Sequence, residues 1–279
     1  MSSRRGVTVV RACMRGEAGG SPTAVVDERE AAGATDAERA AVAPAAGTSH
    51  AVFVDPAPDG AHLRFFTAEG ELPACGHGTV AALTHLAGHA GGRFTGQLRA
   101  GGTAFTGWAE RDGAGYHAAF RTRPVDLRPA TPGEAAAVAD ALGAAPPHEA
   151  VVASLGRARM LLPVPGRAAL RALDPDPARL RAACDRLGLL GVYVHTPPEA
   201  DGRLAARMFA PSIGVPEDIA NANSTACLAA HLTARGVPRI AADMGDGLGA
   251  PATVTATAEP GPGPRRVRVG GRCQTLPLP

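Results

Sequence analysis

Short apolar runs separated by glycine- and proline-rich turns dominate the hydrophobic pattern of this chain. Residues 51–54 and 63–66 are two such runs on either side of a turn-rich segment, so they predict a pair of hydrogen-bonded strands. Further strands are predicted at residues 7–10, 24–26, 93–119, 151–152, 160–162, 191–194 and 266–269. Helices with polar N-cap residues are predicted at 35–46, where Thr35 is the cap and Pro44 ends the helix, at 131–142 and at 176–187.

Two smooth apolar stretches, residues 80–86 and 226–232, predict buried helices, and each follows a turn of small residues. The first turn is Cys75-Gly-His-Gly-Thr79 and the second is Asn221-Ala-Asn-Ser-Thr225. Free backbone N–H groups and the helix dipole make such helix starts suitable for binding an anion. The pattern therefore predicts that the two turns hold a small carboxylate.

A second pattern repeats ahead of each of these turns. Arg64-Phe-Phe-Thr67 and Arg207-Met-Phe-Ala210 both consist of an arginine, an apolar residue, a phenylalanine and a small residue. We expect both arginines to lie on strands with exposed head groups. The repetition indicates an internal duplication, and it predicts two similar α+β halves with a cleft between them.

Composition excludes several classes of function. All 28 basic residues among the 279 are arginines, so a lysine Schiff base and a complete Walker A loop are impossible. The net charge of +2 does not fit a dedicated nucleic-acid binder, and no apolar run is long enough for a membrane span. No signal-peptide pattern precedes the first strand, and we expect a cytoplasmic protein.

The five cysteines are widely spread and none has CxxC spacing, so the sequence predicts neither a zinc site nor a disulfide framework. Each thiol is expected to be a small buried apolar group. We therefore expect no metal site.

The segment Glu71-Leu-Pro-Ala-Cys-Gly-His-Gly-Thr-Val-Ala-Ala82, preceded by Arg64-Phe-Phe-Thr67, resembles the first signature of the PhzF-like family of phenazine biosynthesis. Gly20-Ser-Pro-Thr-Ala-Val-Val26 is similar to that family's N-terminal segment. Arg207-Met-Phe-Ala-Pro211 with Gly214-Val-Pro-Glu-Asp218 is similar to its second-half signature. The resemblance covers most of the chain in order and spacing.

The resemblance implies an α+β, diaminopimelate-epimerase-like fold of two pseudo-symmetric halves, each a curled β-sheet around a central helix. We expect the N-terminal half at 1–115 and the C-terminal half at 116–263. A C-terminal strand at 264–279 is expected to return to the first half. The family also implies a homodimer that acts on a small-molecule carboxylate, with no nucleic-acid or membrane partner.

In the family's isomerases, a glutamate in a Ser-Glu-x-x-Phe-Val segment moves a proton between two carbons, assisted by a histidine, an aspartate and a serine. The resemblance assigns the assisting roles to His77 and Asp218, which match their positions. His50 stands at the glutamate position and Asn223 at the serine position. We predict His50 as the proton carrier, because an imidazole with an ordinary pKa of about 6.5 suits neutral pH better than a carboxylate.

The remaining predicted site residues are substrate-binding groups on the same segments: Ser49, Gly76, Gly78, Asn221, Ala222, Asn223 and Ser224. Simpler roles stay open for several of the predicted residues. His50 is alternatively an ordinary buried strand histidine, His77 a structural residue of the helix start, and Asp218 the cap of a helix from residue 219 onward. Asn221, Asn223 and Ser224 are also good N-cap types, whatever they bind.

Cys75 matches the first of the two opposed thiols that the epimerase branch of this fold uses, so a catalytic thiol is an alternative proton carrier. The second thiol position aligns with Asn221, and Cys227 lies farther along the helix. Inversion by two bases is therefore disfavoured.

The sequence thus predicts a cofactor-independent isomerase that shifts a C=C double bond in a small unsaturated cyclic carboxylic acid. A pyrroline carboxylate of the 4-alkylproline branch of antibiotic biosynthesis is favoured over a phenazine-type substrate, because the family's glutamate base is missing. The alternatives are an amino- or imino-acid racemase or epimerase using Cys75, and a non-catalytic carboxylate-binding relative.

Overall fold

The hairpin predicted from residues 51–54 and 63–66 is present in the computed structural model, which describes residues 6–145, 147, 149–261 and 263–276. Ala51 lies opposite Phe66 and Val54 opposite Leu63 in antiparallel register. Residues 50–54 of the first strand are all buried, as are Leu63, Phe65 and Phe66 of the second, so short continuous apolar runs were sufficient to predict the hairpin. Residues 1–5, 146, 148, 262 and 277–279, which belong to the predicted halves and C-terminal strand, lie outside the described residues.

The chain divides into two units. The first holds the described residues up to Arg121, together with Ala250–Thr253 and the described residues from Gly270 onward. The second holds Thr122–Gly249 and Val254–Val269. The last two strands, Ala252–Ala258 (β16) and Val267–Thr275 (β17), each contribute residues to both units.

The first unit is mostly β-structure. Its elements are β1 (Val7–Met14), β2 (Ser21–Asp27), α1 (Asp36–Ala40), α2 (Val42–Ala45), β3 (His50–Ala57), β4 (Gly60–Thr67), β5 (Gly70–Leu72), α3 (Gly76–His89), β6 (Arg93–Ala100), β7 (Thr103–Asp112) and β8 (Gly115–Arg121). Strands β2 and β3 are parallel, as are β4 and β6, and helices make both crossovers. The single helix predicted at 35–46 is two short helices, α1 and α2, with Thr35 as the N-cap of the first.

Helix α3 forms the centre of the first unit. Its small and apolar residues from Gly76 to Thr84 are all buried, and it contacts strands β1, β2, β3, β6, β7 and β8. The predicted buried helix at 80–86 is therefore confirmed. It begins four residues earlier than expected, because the glycine segment forms its first turn and Cys75 is its N-cap.

The second unit is built around its own hydrophobic core. Its elements are β9 (Asp126–Pro129), α4 (Pro132–Leu142), β10 (Val151–Ser154), β11 (Ala158–Pro163), α5 (Arg167–Arg171), α6 (Pro177–Arg186), β12 (Leu189–His195), β13 (Arg203–Ala210), β14 (Val215–Asp218), α7 (Ala222–Thr233) and β15 (Arg239–Met244). Side chains of α4 and α6, such as Val138 and Leu180, pack with Met160 and Leu162 of β11 in one cluster. The capped helices predicted at 131–142 and 176–187 are confirmed.

Helix α7 connects the parallel strands β13 and β15 and contacts β10, β11 and β15. Its residues from Ser224 to Ala230 and Leu232 are buried, so the second predicted buried helix is confirmed as well. Asn221 is its N-cap. In the described part of the chain, no helix has both the length and the apolar character needed to span a bilayer.

Candidate active site

The predicted residues of the first unit converge at the N-terminus of α3. His50 begins β3, Cys75 caps α3 and His77 lies in the first turn of that helix. The three residues are only 3%, 6% and 2% exposed, respectively. The His50 and His77 rings meet edge to face with centroids 4.3 Å apart, and Cys75 Sγ lies 3.5 Å from His77 Nε2.

Local backbone chemistry fixes this cluster. The Cys75 Sγ accepts the N–H of Gly78 at 3.4 Å, and the Thr79 hydroxyl donates to the Cys75 carbonyl at 2.8 Å. A side chain on residue 78 would place its Cβ 3.0 Å from both Cys75 Sγ and the Phe65 ring. Glycine at this position therefore lets the thiol fold back over the helix start.

Burial is the main electrostatic influence on His50. Loss of solvation, and secondly the neighbouring His77, hold the pKa of His50 well below its ordinary value. The ring is therefore neutral at neutral pH and has a lone pair on one nitrogen. Ser49 Oγ lies 2.9 Å from His50 Nδ1, and this hydrogen bond orients the ring.

The predicted residues of the second unit form a separate polar network at the start of α7. The Asn221 side-chain amide donates to Asp218 Oδ2 at 2.9 Å, and its Oδ1 accepts the N–H of Ser224 at 2.9 Å. Asp218 is buried and also accepts the N–H of Ala220 at 3.4 Å. The alternative that Asp218 caps a helix from residue 219 is wrong, because Asn221 is the cap and Asp218 holds it in place.

Not all the predicted residues of this network are accessible. Ala222 and Ser224 are buried, whereas Asn223 is half-buried in the first turn. The Ser224 hydroxyl contacts Met208 Sδ at 3.5 Å and accepts from Arg159 Nη1 at 3.3 Å. The structure thus groups His50, Cys75 and His77 in one unit and Asp218, Asn221 and Ser224 in the other.

Arg159 is a polar residue near the helix start that sequence analysis missed. It is 3% exposed, its Nη2 donates to the Arg157 carbonyl at 2.8 Å, and burial lowers its pKa. The available signal was strand alternation: Met160 and Leu162 pack into the cluster beneath α4 and α6, so residue 159 faces the other side of β11.

Comparisons with known proteins agree with this architecture. Residues 12–276 match the model of the PhzC-PhzF family, described as phenazine biosynthesis-like protein. An uncharacterized isomerase from Deinococcus radiodurans is 31% identical over 205 residues, which are 66% of this chain and 63% of the relative. The match therefore spans less than two thirds of that relative's length.

Two solved structures show the same fold. A predicted epimerase from Pseudomonas aeruginosa is 25% identical with a TM-score of 0.84, covering 98% of this chain and 97% of that one. A PhzF-family phenazine biosynthesis protein from Bacillus anthracis is 14% identical with a TM-score of 0.82 and the same coverage of both chains. These matches confirm the predicted α+β, diaminopimelate-epimerase-like fold. Because the family model covers nearly the whole sequence, the chain belongs to the phenazine biosynthesis-like PhzC-PhzF family.

Proposed function

We propose that the protein is a cofactor-independent isomerase that shifts a C=C double bond in a small unsaturated cyclic carboxylic acid. The observation on which this depends is the buried, neutral His50 packed against His77 and beside Cys75 at the start of α3. The names of the relatives, an isomerase and a predicted epimerase, support the reaction class.

The proposed reaction needs one mobile base. Neutral His50 removes a proton from the carbon next to the double bond, and the electron pair moves through the conjugated system toward the carboxylate. The resulting imidazolium returns the same proton to the far carbon, so no atom is gained or lost. Because one imidazole serves both carbons, we expect transfer on a single face of the substrate.

The start of α3 suits the carboxylate of such a substrate. Backbone N–H groups in the first turn of a helix, together with its dipole, stabilise negative charge. That charge grows as the proton leaves carbon, so the same groups stabilise the transition state more than the ground state. We propose an equivalent anion-binding role for the Asn221 turn of α7, with Asp218 as its support.

We infer the substrate class from the replacement of the family's glutamate base by His50. We favour a pyrroline carboxylate of the 4-alkylproline type, used in antibiotic biosynthesis, over a phenazine precursor, because His50 occupies the glutamate position. A homodimer is proposed from the same family resemblance.

Exchange in deuterated water tests the reaction directly. The protein is incubated with a panel of unsaturated and saturated cyclic amino acids, and NMR locates the deuterium. Isomerisation moves the double bond to new carbons, whether or not the shuttled proton exchanges with the solvent. Racemisation labels Cα only, and a pure binding protein changes neither the double bond nor the label. Labelling at Cα only, or an unmoved double bond across the panel, would reject the proposed reaction.

Substitution of the base tests the assignment of His50. His50→Ala should lower kcat by about 10²-fold or more, since general acid–base catalysis is lost, while KM changes little. His117→Ala is the matched control, because His117 is exposed on β8 and should leave kcat unchanged. A folded His50→Ala variant with normal kcat would contradict the assignment.

One observation favours a second candidate, an epimerase or racemase that uses the thiol. Cys75 Sγ and His77 Nε2 are 3.5 Å apart, so the imidazole can take the thiol proton. Cys75→Ala should then inactivate the protein while His50→Ala remains active. The opposite result, with an active Cys75→Ala variant, supports the isomerase.

A further inference from the structure

The cluster at the start of α3 also has the donor atoms of a transition-metal site. One donor atom each from His50, Cys75 and His77 lies within 4.8 Å of the other two. In tetrahedral zinc sites, bonds of about 2.1 Å to nitrogen and 2.3 Å to sulfur put neighbouring ligand atoms about 3.4–3.6 Å apart. The Cys75 Sγ to His77 Nε2 distance of 3.5 Å already has this value.

We propose that His50, Cys75 and His77 form a three-ligand site for a divalent transition-metal ion of the Zn²⁺ type, with the fourth position open. Two imidazoles and a thiolate are the ligands that such borderline ions prefer. The cluster, as found among the described residues, contains no carboxylate, so it does not suit Mg²⁺ or Ca²⁺.

The surroundings of the three ligands support this assignment. Histidine ligands usually form a hydrogen bond through the nitrogen that does not bind the ion, and Ser49 Oγ lies 2.9 Å from His50 Nδ1. The Gly78 N–H donates to Cys75 Sγ at 3.4 Å, and this hydrogen bond holds the sulfur in place beside His77. Spacing in sequence did not predict the site, because His50 comes from a strand far from the Cys75 turn.

A pair of histidines elsewhere on α3 could also bind metal, so the test must distinguish it from this site. His85 and His89 are one helical turn apart with ring centroids 4.3 Å from each other, and His89 is exposed. Such a pair can bind Zn²⁺ or Co²⁺ at a surface. It contains no thiol, so a cobalt spectrum distinguishes the two sites.

The test is a Co²⁺ titration of the metal-free full chain, followed by displacement with Zn²⁺. We expect one Co²⁺ per chain with a thiolate-to-cobalt charge-transfer band in the near ultraviolet, which one equivalent of Zn²⁺ removes. Cys75→Ser should abolish the band and weaken Co²⁺ binding by about 100-fold, because loss of a ligand costs at least as much affinity as loss of a group that orients a ligand. Serine is a good N-cap, so this variant should keep α3 folded, as circular dichroism can check.

Two further variants serve as matched controls. His89→Ala removes the surface pair, and Cys184→Ala removes a different buried thiol on α6. Both should keep the charge-transfer band at full intensity. A folded wild-type protein without the band, or a band that persists in Cys75→Ser, would overturn the proposed site.

One consequence of metal binding rests on the proposed function. An ion bound to His50 would occupy the lone pair that takes the substrate proton, so Zn²⁺ should inhibit the isomerase and a chelator should restore it. The cobalt spectrum is independent of any activity. If the protein is inactive but shows the charge-transfer band, the metal site is supported and the proposed isomerase is rejected. If the protein is active but lacks the band, the isomerase is supported and the metal site is rejected.

Discussion

At the scale of single residues, the site depends on a glycine as much as on its reactive side chains. Gly78 is the third helical residue of α3, where any Cβ would press on Cys75 Sγ and the Phe65 ring at 3.0 Å. Gly88, in the same helix, has only Tyr116 Oη at 3.6 Å near the corresponding position. The two glycines therefore differ in the space around them while sharing one helix.

We predict that Gly88→Ala raises the free energy of unfolding by about 0.5–1 kcal/mol, since alanine favours helix and loses less backbone entropy on folding. Gly78→Ala should give no such increase in the free energy of unfolding, or should lower it. The new Cβ crowds Cys75 and Phe65, and this crowding costs about 1–3 kcal/mol. It should also weaken Co²⁺ binding by displacing the thiol. Urea denaturation of both variants measures the difference, and equal stabilisation would contradict the crowding argument.

The reactive residues were predictable because they belong to a short motif, whereas their mutual distances were not. His77 and Cys75 are two residues apart in sequence, but His50 reaches them only through the parallel pairing of β2 with β3 and the packing of α3 on both. Arg159 was missed because an arginine on a strand is usually exposed, and only the position of α7 explains its burial.

At the scale of elements, the internal duplication appears as two equivalent arginine clamps. Arg64 donates to both carboxylate oxygens of Glu71 and stacks on Phe66, two residues ahead on β4. Arg207 does the same with Glu217 and Phe209 on β13. The bidentate ion pair and the ring contact explain why the Arg-x-Phe pattern repeats.

The expected exposure of these arginines was right for one of them only. The Arg64 side chain is 36% exposed, whereas that of Arg207 is 18% exposed and also donates to the carbonyls of Leu170 and Leu173. Helix α5, which the sequence pattern did not predict, lies close to these carbonyls and accounts for the difference.

Capping makes a direct prediction for α4. Thr131 Oγ1 accepts the N–H of Glu134, and the Glu134 carboxylate accepts the N–H of Thr131 at 2.8 Å. The pKa of Glu134 is lowered to about 2. The main cause is the pair of hydrogen bonds from Arg128, and the second is the hydrogen bond from the Thr131 backbone N–H. Thr131→Ala should lower the free energy of unfolding by about 1 kcal/mol in urea titrations. Thr131→Ser should keep most of the wild-type stability, because serine also caps helices. A loss of the same size in both variants would contradict a capping role.

At the scale of the whole molecule, sequence periodicity and caps predicted many of the longer strands and helices. The helix predicted at 35–46 is two short helices, and α5, β9, β15 and β16 were not predicted. Pairing between distant strands, such as the antiparallel contact of Val10 with Thr275, was not predictable from local pattern. The family resemblance supplied the expectation that a C-terminal strand returns to the first half, whereas the register of this pairing comes only from the packed structure.

Buried histidines make the stability of the molecule depend on pH. His195 ends β12 and is buried, and its Nδ1–H donates to the Thr196 carbonyl at 3.0 Å. Burial is the main cause that lowers the pKa of His195 to about 4. The hydrogen bond to the Thr196 carbonyl acts in the opposite direction, and the charges of His231 and Arg235 contribute smaller decreases. The pKa of His85 on α3 is also lowered to about 4, mainly by burial and secondly by the charge of His89.

Proton linkage determines whether a fall in pH raises or lowers the free energy of unfolding. A histidine with a folded-state pKa of about 4 and an unfolded-state pKa of about 6.5 binds more protons when unfolded at any pH between these values. Its contribution to stability is therefore complete above pH of about 6.5 and is lost as the pH falls toward about 4. We predict that wild-type protein loses about 2 kcal/mol of unfolding free energy through His195 alone between pH 7 and 4.5.

His195→Asn tests this contribution, because its side-chain N–H can replace Nδ1 opposite the Thr196 carbonyl but does not titrate. Urea denaturation followed by circular dichroism at pH 7 and pH 4.5 should show a smaller acid loss in this variant, by about 2 kcal/mol. His117→Asn provides the control, since His117 is exposed and its replacement should leave the acid loss unchanged. An acid loss in His195→Asn as large as in the wild type would show that the buried imidazole does not set the pH dependence, because removing the only group that titrates at that position would then have had no effect.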